Sequence, residues 1–464
     1  MNINKSILYW LIPLVLFGMQ VLMTFNSFNQ IRFEELIESI QAPLWFTKGQ
    51  VIAGTHTNIG WYAFLLLIYN LFGFTLNTAK FALLGISLVS LICQAIIVRR
   101  FFSTITGALI LLTLGFSPTL LFFTSQNLHL GVGLQMVPVF ILLLMLLNFR
   151  KKWVSLMLTI LIFSLAMIAL LFYAPFMFYI PAIAIFWLRK YRVYKVNAMY
   201  LAVALIAFLT PLIFGFLFVQ NKEILIFDPQ TGTGIFRGGG RLSLSYETFS
   251  QSLGGAINDF FIKAVSYHYE VRRVDFSDIG FITFIIVITI ITIIYRKEKS
   301  SRFYINLTLL IIGFNLLVIG ATSDYAIPGM KRSTPILASV YIVWVICWYY
   351  LIKVKVKSLK LKIAGLLVLS LLTIHHLFVY PINLAHIKDI SSFADKQWFA
   401  MEDNPQRSLD VMVKKLQKED LILDCRPYLL RFTSCEYTFI QSALESACLF
   451  NHLKCHKIKT YEQP

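Results

Sequence analysis

The sequence predicts an all-α polytopic membrane protein with about eleven transmembrane helices, a further interfacial or re-entrant helix, and a small mixed α/β extracytoplasmic C-terminal tail. Three observations lead to this fold class. Of the 464 residues, 58% are hydrophobic and only 14% are charged, and the mean hydropathy of +0.73 exceeds what a soluble core requires. Long apolar runs recur along the chain. Short clusters of lysine and arginine close many of them, as is typical of cytoplasmic loops.

Each predicted span is an uninterrupted apolar run of a length suited to crossing the bilayer. The first run is too long for the apolar region of a cleaved signal peptide and lacks a small-residue cleavage pattern, so we expect it to remain as an anchor. The predicted spans cover residues 7–25, 81–98, 104–124, 132–147, 153–172, 176–188, 198–219, 279–295, 304–321, 336–352 and 363–380.

A twelfth apolar stretch, residues 59–74, is predicted to lie at the outer interface or to re-enter. If it crossed together with the other runs, every basic cluster from Arg99 onward would face outward, against the positive-inside rule. If it does not cross, those clusters face the cytoplasm. Trp61, Tyr62 and Tyr69 within it are typical of interfacial anchors. This arrangement predicts a cytoplasmic amino terminus and an extracytoplasmic carboxyl terminus in the cell or inner membrane.

The predicted topology gives a transmembrane domain of residues 1–380 and an extracytoplasmic tail of residues 381–464. Outer loops 26–58 and 221–278 belong to the transmembrane domain and share the side of the tail. The net charge of +18 is spread over short loops rather than gathered on one soluble face. We therefore interpret the charge as a determinant of orientation and expect no nucleic-acid partner.

The tail contains a cluster of cysteines, and residues 420–424 in it are predicted to form a short strand. An oxidising compartment favours two disulfides, of undetermined connectivity, among Cys425, Cys435, Cys448 and Cys455. Zinc binding is the alternative because His452 and His456 stand beside two of these cysteines, although the spacings match no compact zinc pattern.

The first outer loop has three carboxylates directly after the first span: Glu34, Glu35 and Glu38. On a helix Glu34 and Glu38 would share a face, with an apolar side lying on the membrane. One interpretation is a solvated acidic face of that surface helix. The other is a general base at the mouth of a membrane cavity, because a neighbouring like charge and partial desolvation raise a carboxyl pKa.

Downstream of this acidic pair come glycines and aromatic residues, then His56, then an apolar, tyrosine-containing run that ends in Leu71, Phe72 and Gly73. This order resembles the GT-C glycosyltransferases, which use polyprenyl-phosphate sugars and include protein mannosyltransferases and aminoarabinose lipid A transferases. The resemblance covers mainly residues 34–100. It implies that Glu34 is the catalytic base and Glu35 its companion, with Glu38 as a substrate-binding alternative.

The sequence departs from the family pattern at two of these positions. The acidic pair is Glu-Glu where the family usually has Asp-Glu, which shifts the carboxylate. His56 falls where the family often has a His-Pro-rich segment that contacts substrate, but the prolines are missing. A polar loop histidine is the alternative interpretation of His56.

Later basic residues are predicted to contact the phosphate of the donor. Lys331 and Arg332 precede Pro335 on the outer side, where the family often carries an arginine near the donor phosphate. Their alternative role is interfacial anchoring. Arg237 and Arg241 flank a glycine triplet, whose backbone donors could cradle phosphate or which could form a flexible lid.

The resemblance thus implies an inverting membrane glycosyltransferase that moves a sugar from a polyprenyl-phosphate donor to a lipid, glycan or protein acceptor on the outer face. The sequence requires no cofactor, and it shows no Asp-x-Asp motif or cluster of metal ligands in the outer loops. A divalent metal is unsupported by the sequence but stays open, because members of the resembling family differ in this respect. Two other functions stay open: a transporter or flippase of lipid-linked or amphiphilic cargo, and a non-catalytic membrane scaffold. Few ionisable residues within the predicted spans and no internal repeat disfavour the transporter.

Overall fold

The computed structural model describes most of the first 225 residues and two parts of the tail. The described residues are 5–26, 36–52, 59–115, 129–172, 176, 179–194, 197–220, 223–225, 250, 363, 367, 370, 371, 374, 405–424 and 439–461. In these ranges the chain is mostly helical with a few short strands, so the predicted fold class is confirmed at this level.

The described elements follow one another in a simple order. The α-helices are α1 (Lys5–Asn26), α2 (Ala42–Thr47), α3 (Ile59–Phe72), α4 (Thr78–Phe101), α5 (Thr104–Gly115), α6 (His129–Leu146), α7 (Lys152–Phe172), α8 (Tyr179–Tyr194), α9 (Met199–Val219), α10 (Pro405–Leu416) and α11 (Phe439–Phe450). A π-helix (Leu36–Gln41) precedes α2. The strands are β1 (Gln50–Ile52), β2 (Glu223–Leu225), β3 (Leu421–Asp424) and β4 (Ile458–Tyr461).

Three of the described helices are long and apolar enough to cross a membrane, fewer than the eleven spans predicted for the whole chain. They are Thr78–Phe101, Lys152–Phe172 and Met199–Leu217. Shorter apolar helices occupy Tyr9–Leu22, Ile59–Phe72 and Gln135–Leu146. The predicted spans 279–295, 304–321 and 336–352 lie outside the described residues, as does most of 363–380.

The helices bring basic clusters to one end of the bundle. Lys190 Nζ donates hydrogen bonds to the carbonyl oxygens of Leu144 and Leu147, at 2.5 and 2.8 Å, and so caps the C-terminal end of α6. Arg100, at the end of α4, is close enough to Lys190 for the two charges to interact. The Tyr200 hydroxyl donates to the Lys152 carbonyl at 2.9 Å. We call this end, which carries residues 99–100, 150–152 and 189–192, the basic end.

Helix α1 runs from the basic end to the opposite one. The Tyr9 hydroxyl donates to the Ala95 carbonyl at 2.6 Å near the end of α4, whereas the ring of Phe25 lies 6.1 Å from that of Phe81 near the start of α4. The two helices are therefore antiparallel. Between these contacts Ser87 is hydrogen-bonded to Gln20, a buried polar pair of the kind that joins helices in a membrane.

The opposite end is assembled from the first loop, the segment after α9, and the tail. Strand β1 pairs in parallel with β2, with Gln50 opposite Glu223. In the tail, β3 and β4 also pair in parallel, with α11 between them in the chain. The strand predicted at residues 420–424 is confirmed as β3. We call this end, made of residues 36–76, 223–225 and the described tail, the loop–tail end.

Helix α3 begins and ends at the loop–tail end. At its start the Trp61 ring lies 6.1 Å from that of Phe172, the last residue of α7, and just after its end Phe74 contacts the tail. Its 14 residues extend about 21 Å, less than the ~30 Å hydrocarbon core. These contacts agree with the prediction that residues 59–74 do not cross the membrane.

The predicted role of the aromatic residues of α3 is wrong. Trp61, Tyr62 and Tyr69 are at most 1% exposed, and they lie in one hydrophobic core with tail residues such as Leu444 and Phe450. They are core residues of the protein rather than anchors in the lipid headgroup region. The reason is that protein surrounds α3: Trp61 packs on Phe172 at the end of α7, and Tyr69 packs on Phe450 of the tail.

Candidate functional site

Most of the residues predicted to form the site lie outside the described residues. These are Glu34, Glu35, His56, Arg237, Arg241, Lys331 and Arg332. Glu38 lies in the π-helix, of which the backbone is described at that position. The roles of all eight residues stay predictions. The structure describes the segment that follows Glu35, residues 36–52, and the contacts that this segment makes.

The chain forms a π-helix starting at Leu36, the residue that follows Glu35. A π-helix carries an additional residue per turn, and π-helical turns occur frequently at functional sites. From Ser39 to Phe46 every residue is buried. The predicted surface helix that carries Glu34 and Glu38 is therefore wrong where it ends, because α3 and the tail helix α11 enclose Ser39 and Ile40 and keep them from the membrane surface.

A hydrogen bond from Tyr69 of α3 holds the π-helix in place. Its hydroxyl donates a hydrogen bond to the Ser39 carbonyl oxygen at 2.5 Å. Complete burial raises the pKa of Tyr69 above its ordinary value of 10.0, so the phenol stays protonated and remains a donor. The ring packs between Phe74 and Phe450, with centroid distances of 5.2 and 5.3 Å. One tyrosine thus connects the loop, the turn after α3, and the tail.

The tail holds the turn between α3 and α4 through two carboxamide side chains. Asn451 Oδ1 accepts the Phe74 backbone N–H at 2.6 Å, and Asn451 Nδ2 donates to the Phe74 carbonyl at 3.1 Å. Gln406 Oε1 accepts the Leu76 backbone N–H at 2.8 Å. Gly73 has φ +77°, and a Cβ there would lie 2.8 Å from Asn451 Oδ1. The turn therefore requires glycine for both conformation and space.

A charged contact joins α2 to the tail on the outer side of this core. Lys48 at the end of α2 forms an ion pair and hydrogen bond with Glu445 of α11. Glu445 also accepts a hydrogen bond from Gln441 at 2.9 Å. Both partners of the ion pair are partly exposed, so the contact defines the position of the tail more than it stabilises it.

Several buried polar atoms at this end have no hydrogen-bond partner within the described part of the chain, among them Trp61 Nε1 and Ser39 Oγ. Trp61 is fully buried, with its ring 5.7 Å from that of Phe64. Because a buried N–H without an acceptor is costly, this donor needs an oxygen from the remaining chain or from a bound molecule. The sequence alone carries no signal for this polar role of Trp61.

Lys80 is a second residue whose environment the sequence alone does not reveal. It lies in the first turn of α4 and is 1% exposed, between the core residues Ala79 and Leu83. A lysine is almost never buried this fully without a partner for its charge. A cation is therefore enclosed at the membrane boundary of the loop–tail end. The available signal in the sequence was a single lysine at the beginning of a long apolar run.

In the tail, Cys448 and Cys455 form a disulfide with a Cα–Cα distance of 6.1 Å. The predicted use of tail cysteines in disulfides is confirmed for this pair, whereas Cys425 and Cys435 lie outside the described residues. The bonded sulfurs are not available as thiolate ligands for zinc. His456 instead faces Asp420, with Nδ1 and Oδ1 3.7 Å apart.

Comparison with known proteins adds no relative, because no family model, curated protein or solved structure matches this chain.

Proposed function

We propose that this protein is an inverting membrane glycosyltransferase of the GT-C type, with its active site at the loop–tail end. The observation that supports this most is the placement of the first outer loop. The backbone directly after Glu34 and Glu35 enters a π-helix, is bonded through the Ser39 carbonyl, and is enclosed by protein. A catalytic carboxylate has to be held in a defined position, and residues next to a rigid buried segment satisfy that condition.

In the proposed reaction Glu34 accepts the proton of an acceptor hydroxyl, with Glu35 beside it. The hydroxyl oxygen forms a bond to the anomeric carbon while the bond from that carbon to the phosphate oxygen breaks, with inversion. Polyprenyl phosphate leaves as a weak base, so the step requires no general acid.

Lys331 and Arg332 neutralise the developing charge of the leaving phosphate, and Arg237 and Arg241 belong to a loop that covers the site. Glu38 and His56 contact substrate, and the proposed step does not require a metal.

The proposed topology has about eleven spans, with the basic end in the cytoplasm and the loop–tail end outside. It is supported by the collection of three basic clusters at one end and by the position of the disulfide at the other. An oxidising compartment favours disulfide formation, which agrees with a tail outside the cytoplasm. Trp61 and Lys80 contribute a buried donor and a buried cation near the proposed site.

The test is sugar transfer by the full-length protein in nanodiscs, with a panel of synthetic polyprenyl-phosphate sugars. We compare wild type with Glu34→Gln, Glu35→Gln and Glu38→Gln, with and without a chelator. Removal of a general base is expected to lower turnover by about 10²–10⁴-fold. We expect this loss in Glu34→Gln, with donor binding retained and no effect of the chelator.

The matched control is Glu419→Gln, which neutralises an exposed tail carboxylate and is expected to leave turnover unchanged. If no donor is turned over but lipid-linked cargo crosses the bilayer of proteoliposomes, the protein is a transporter. If neither occurs with any donor, the scaffold function replaces the enzyme.

A further inference from the structure

A strip of exposed basic residues follows α11 in the tail. Lys454, Lys457 and Lys459 are exposed, and so are His452 and His456. The residues between them, Leu453, Cys455 and Ile458, pack against the hydrophobic core. The chain therefore presents its cations outward and its apolar side chains inward over residues 452–459. We call these residues the lysine strip.

Little negative charge balances the lysine strip in the part of the chain that the structure describes. Asp420 is the carboxylate that contacts it, through Lys459 Nζ at 2.8 Å, the Lys457 backbone N–H at 3.1 Å and His456 Nδ1 at 3.7 Å. Three lysines against one carboxylate leave an excess of two positive charges with the histidines neutral. Lys454 and Lys457 have no ion pair to a described carboxylate.

The strip begins close to the membrane boundary. Asn451 is hydrogen-bonded to both backbone groups of Phe74, and Phe74 is four residues before Thr78, the first residue of a candidate membrane span. Lys454 is three residues beyond Asn451, so their Cα atoms are at most about 11 Å apart. The headgroup region on each side of the hydrocarbon core is roughly 5–8 Å thick. Lys454 therefore lies within a few residues of the contact that joins the tail to the start of this span.

We propose that the lysine strip binds the phosphate headgroups of anionic lipids in the membrane leaflet at the loop–tail end. Lysine supplies a mobile point charge suited to phosphate, and juxtamembrane lysines each strengthen attraction to anionic lipid by about fivefold. Ile422 lies opposite Lys459 in the strand register and is 67% exposed. An apolar side chain beside lysines fits a lipid surface better than a soluble polyanion. This binding does not depend on the proposed enzyme activity.

The experiment uses the full-length protein in nanodiscs of phosphatidylcholine with a trace of phosphatidylglycerol that carries a photoactivatable headgroup. Crosslinks are mapped and quantified separately for residues 452–461 and 405–418. The test variant is Lys454→Gln/Lys457→Gln. Its matched control is Lys414→Gln/Lys418→Gln, which removes the same charge from exposed positions near the end of α10. A phosphatidylcholine probe with the same photoactivatable group and a soluble polyphosphate competitor complete the design.

We expect phosphatidylglycerol to crosslink to residues 452–461 in preference to phosphatidylcholine, and salt to weaken the reaction. The test variant is expected to lose up to about 25-fold of that yield, and the control variant less than about twofold. Equal losses in the two variants, or equal yields with both lipids, overturn the proposal. Displacement of the lipid probe by polyphosphate at low concentration assigns the strip to a soluble polyanion and also overturns it.

Discussion

The basic end and the loop–tail end of this molecule are held together in different ways. At the basic end, Phe149 contacts aromatic rings that lie at most 51 residues later in the chain, the last being Tyr200. Lys190 donates a hydrogen bond to the Leu144 carbonyl, 46 residues earlier in the chain. At the loop–tail end, Lys48 contacts Glu445 across 397 residues, and Phe74 contacts Asn451 across 377. Contacts within the first 200 residues, such as that of Tyr9 with Ala95 across 86 residues, therefore build the first end. The second end requires the first loop to meet the tail.

The comparison predicts that each end can be weakened without the other. The largest effect is expected from Phe149→Ala at the basic end. Phe149 is buried, with the rings of Trp187 and Tyr200 at 5.8 and 5.4 Å. Removing such a ring costs about 3–5 kcal/mol. We expect detergent-solubilised protein to lose this much unfolding free energy, measured by denaturant titration, while the contact between Lys48 and Glu445 persists.

The control for this variant is Phe216→Ala, at a position that is 66% exposed. It removes the same ring from an outward-facing position of α9 and is expected to change the unfolding free energy by less than about 1 kcal/mol. Equal effects of the two substitutions would contradict the assignment of Phe149 to a packed cluster.

The second effect concerns the disulfide at the loop–tail end. Cys448→Ser/Cys455→Ser opens a ring formed across seven residues, which is expected to destabilise the tail by about 2–3 kcal/mol. Hydrogen exchange of amides in α11 should accelerate by roughly 30–150-fold, because each 1.4 kcal/mol is a factor of ten. Cys93→Ser, at the buried free cysteine in α4, serves as control. Unchanged exchange in α11 would show that the disulfide contributes nothing there.

The third effect tests the connection between the tail and the turn after α3. Asn451→Ala removes both hydrogen bonds to Phe74 and is expected to weaken docking by about 1–3 kcal/mol. Asn451→Asp keeps the acceptor for the Phe74 N–H and loses the donor, so we expect an intermediate effect. The measurement is protease cleavage of the tail in nanodiscs. Equal cleavage of wild type and Asn451→Ala would contradict this role.

The smallest effect is a dependence of tail stability on acid. The side-chain hydrogen bond from Lys459 and the Lys457 N–H hold the pKa of Asp420 below its ordinary value of 3.8. A carboxyl whose pKa is lower in the folded state stabilises the fold above pH 3.8, and this stabilisation is lost as the pH falls through the folded-state pKa. We expect Asp420→Asn to weaken the tail at pH 7 and to flatten its acid dependence.

The measurement for this prediction is thermal unfolding of the tail at a series of pH values between 7 and 2, with hydrogen exchange of the tail amides as the readout. Glu419→Gln, which removes a neighbouring exposed carboxylate, is the control. Identical acid profiles for Asp420→Asn and wild type would rule out the contribution of Asp420.

The sequence predicted features that depend on local pattern. Apolar runs located helices α1, α4, α7 and α9 within a few residues. The short segment 420–424 was predicted as a strand and contains β3, and the clustering of cysteines indicated a disulfide. The clusters of lysine and arginine predicted which helix ends lie on the same side of the helix bundle. In each case the physical cause, burial in lipid or in a strand, acts on residues that are close in the chain.

The docking of the tail onto the first loop could not be predicted in this way. Trp61, Tyr62 and Tyr69 have the same pattern whether their rings meet lipid headgroups or a protein surface. Nothing in the sequence around Asn451 identifies Phe74 as its partner, because a carboxamide can bond any free backbone group. Lys80 follows the same rule: one lysine beside an apolar run reads as an interfacial residue until the structure shows it buried.

The central claim is that the first loop and the tail form one unit, which we propose to lie on the outer side of the membrane. The most direct test is chemical crosslinking of Lys48→Cys/Glu445→Cys in intact cells with a short bismaleimide, beside the pair Lys48→Cys/Lys151→Cys, which joins opposite ends. We predict that the first pair crosslinks, that a membrane-impermeant thiol reagent added outside blocks it, and that the second pair does not crosslink. Absence of a crosslink in the first pair, or no protection by the outside reagent, would contradict the account.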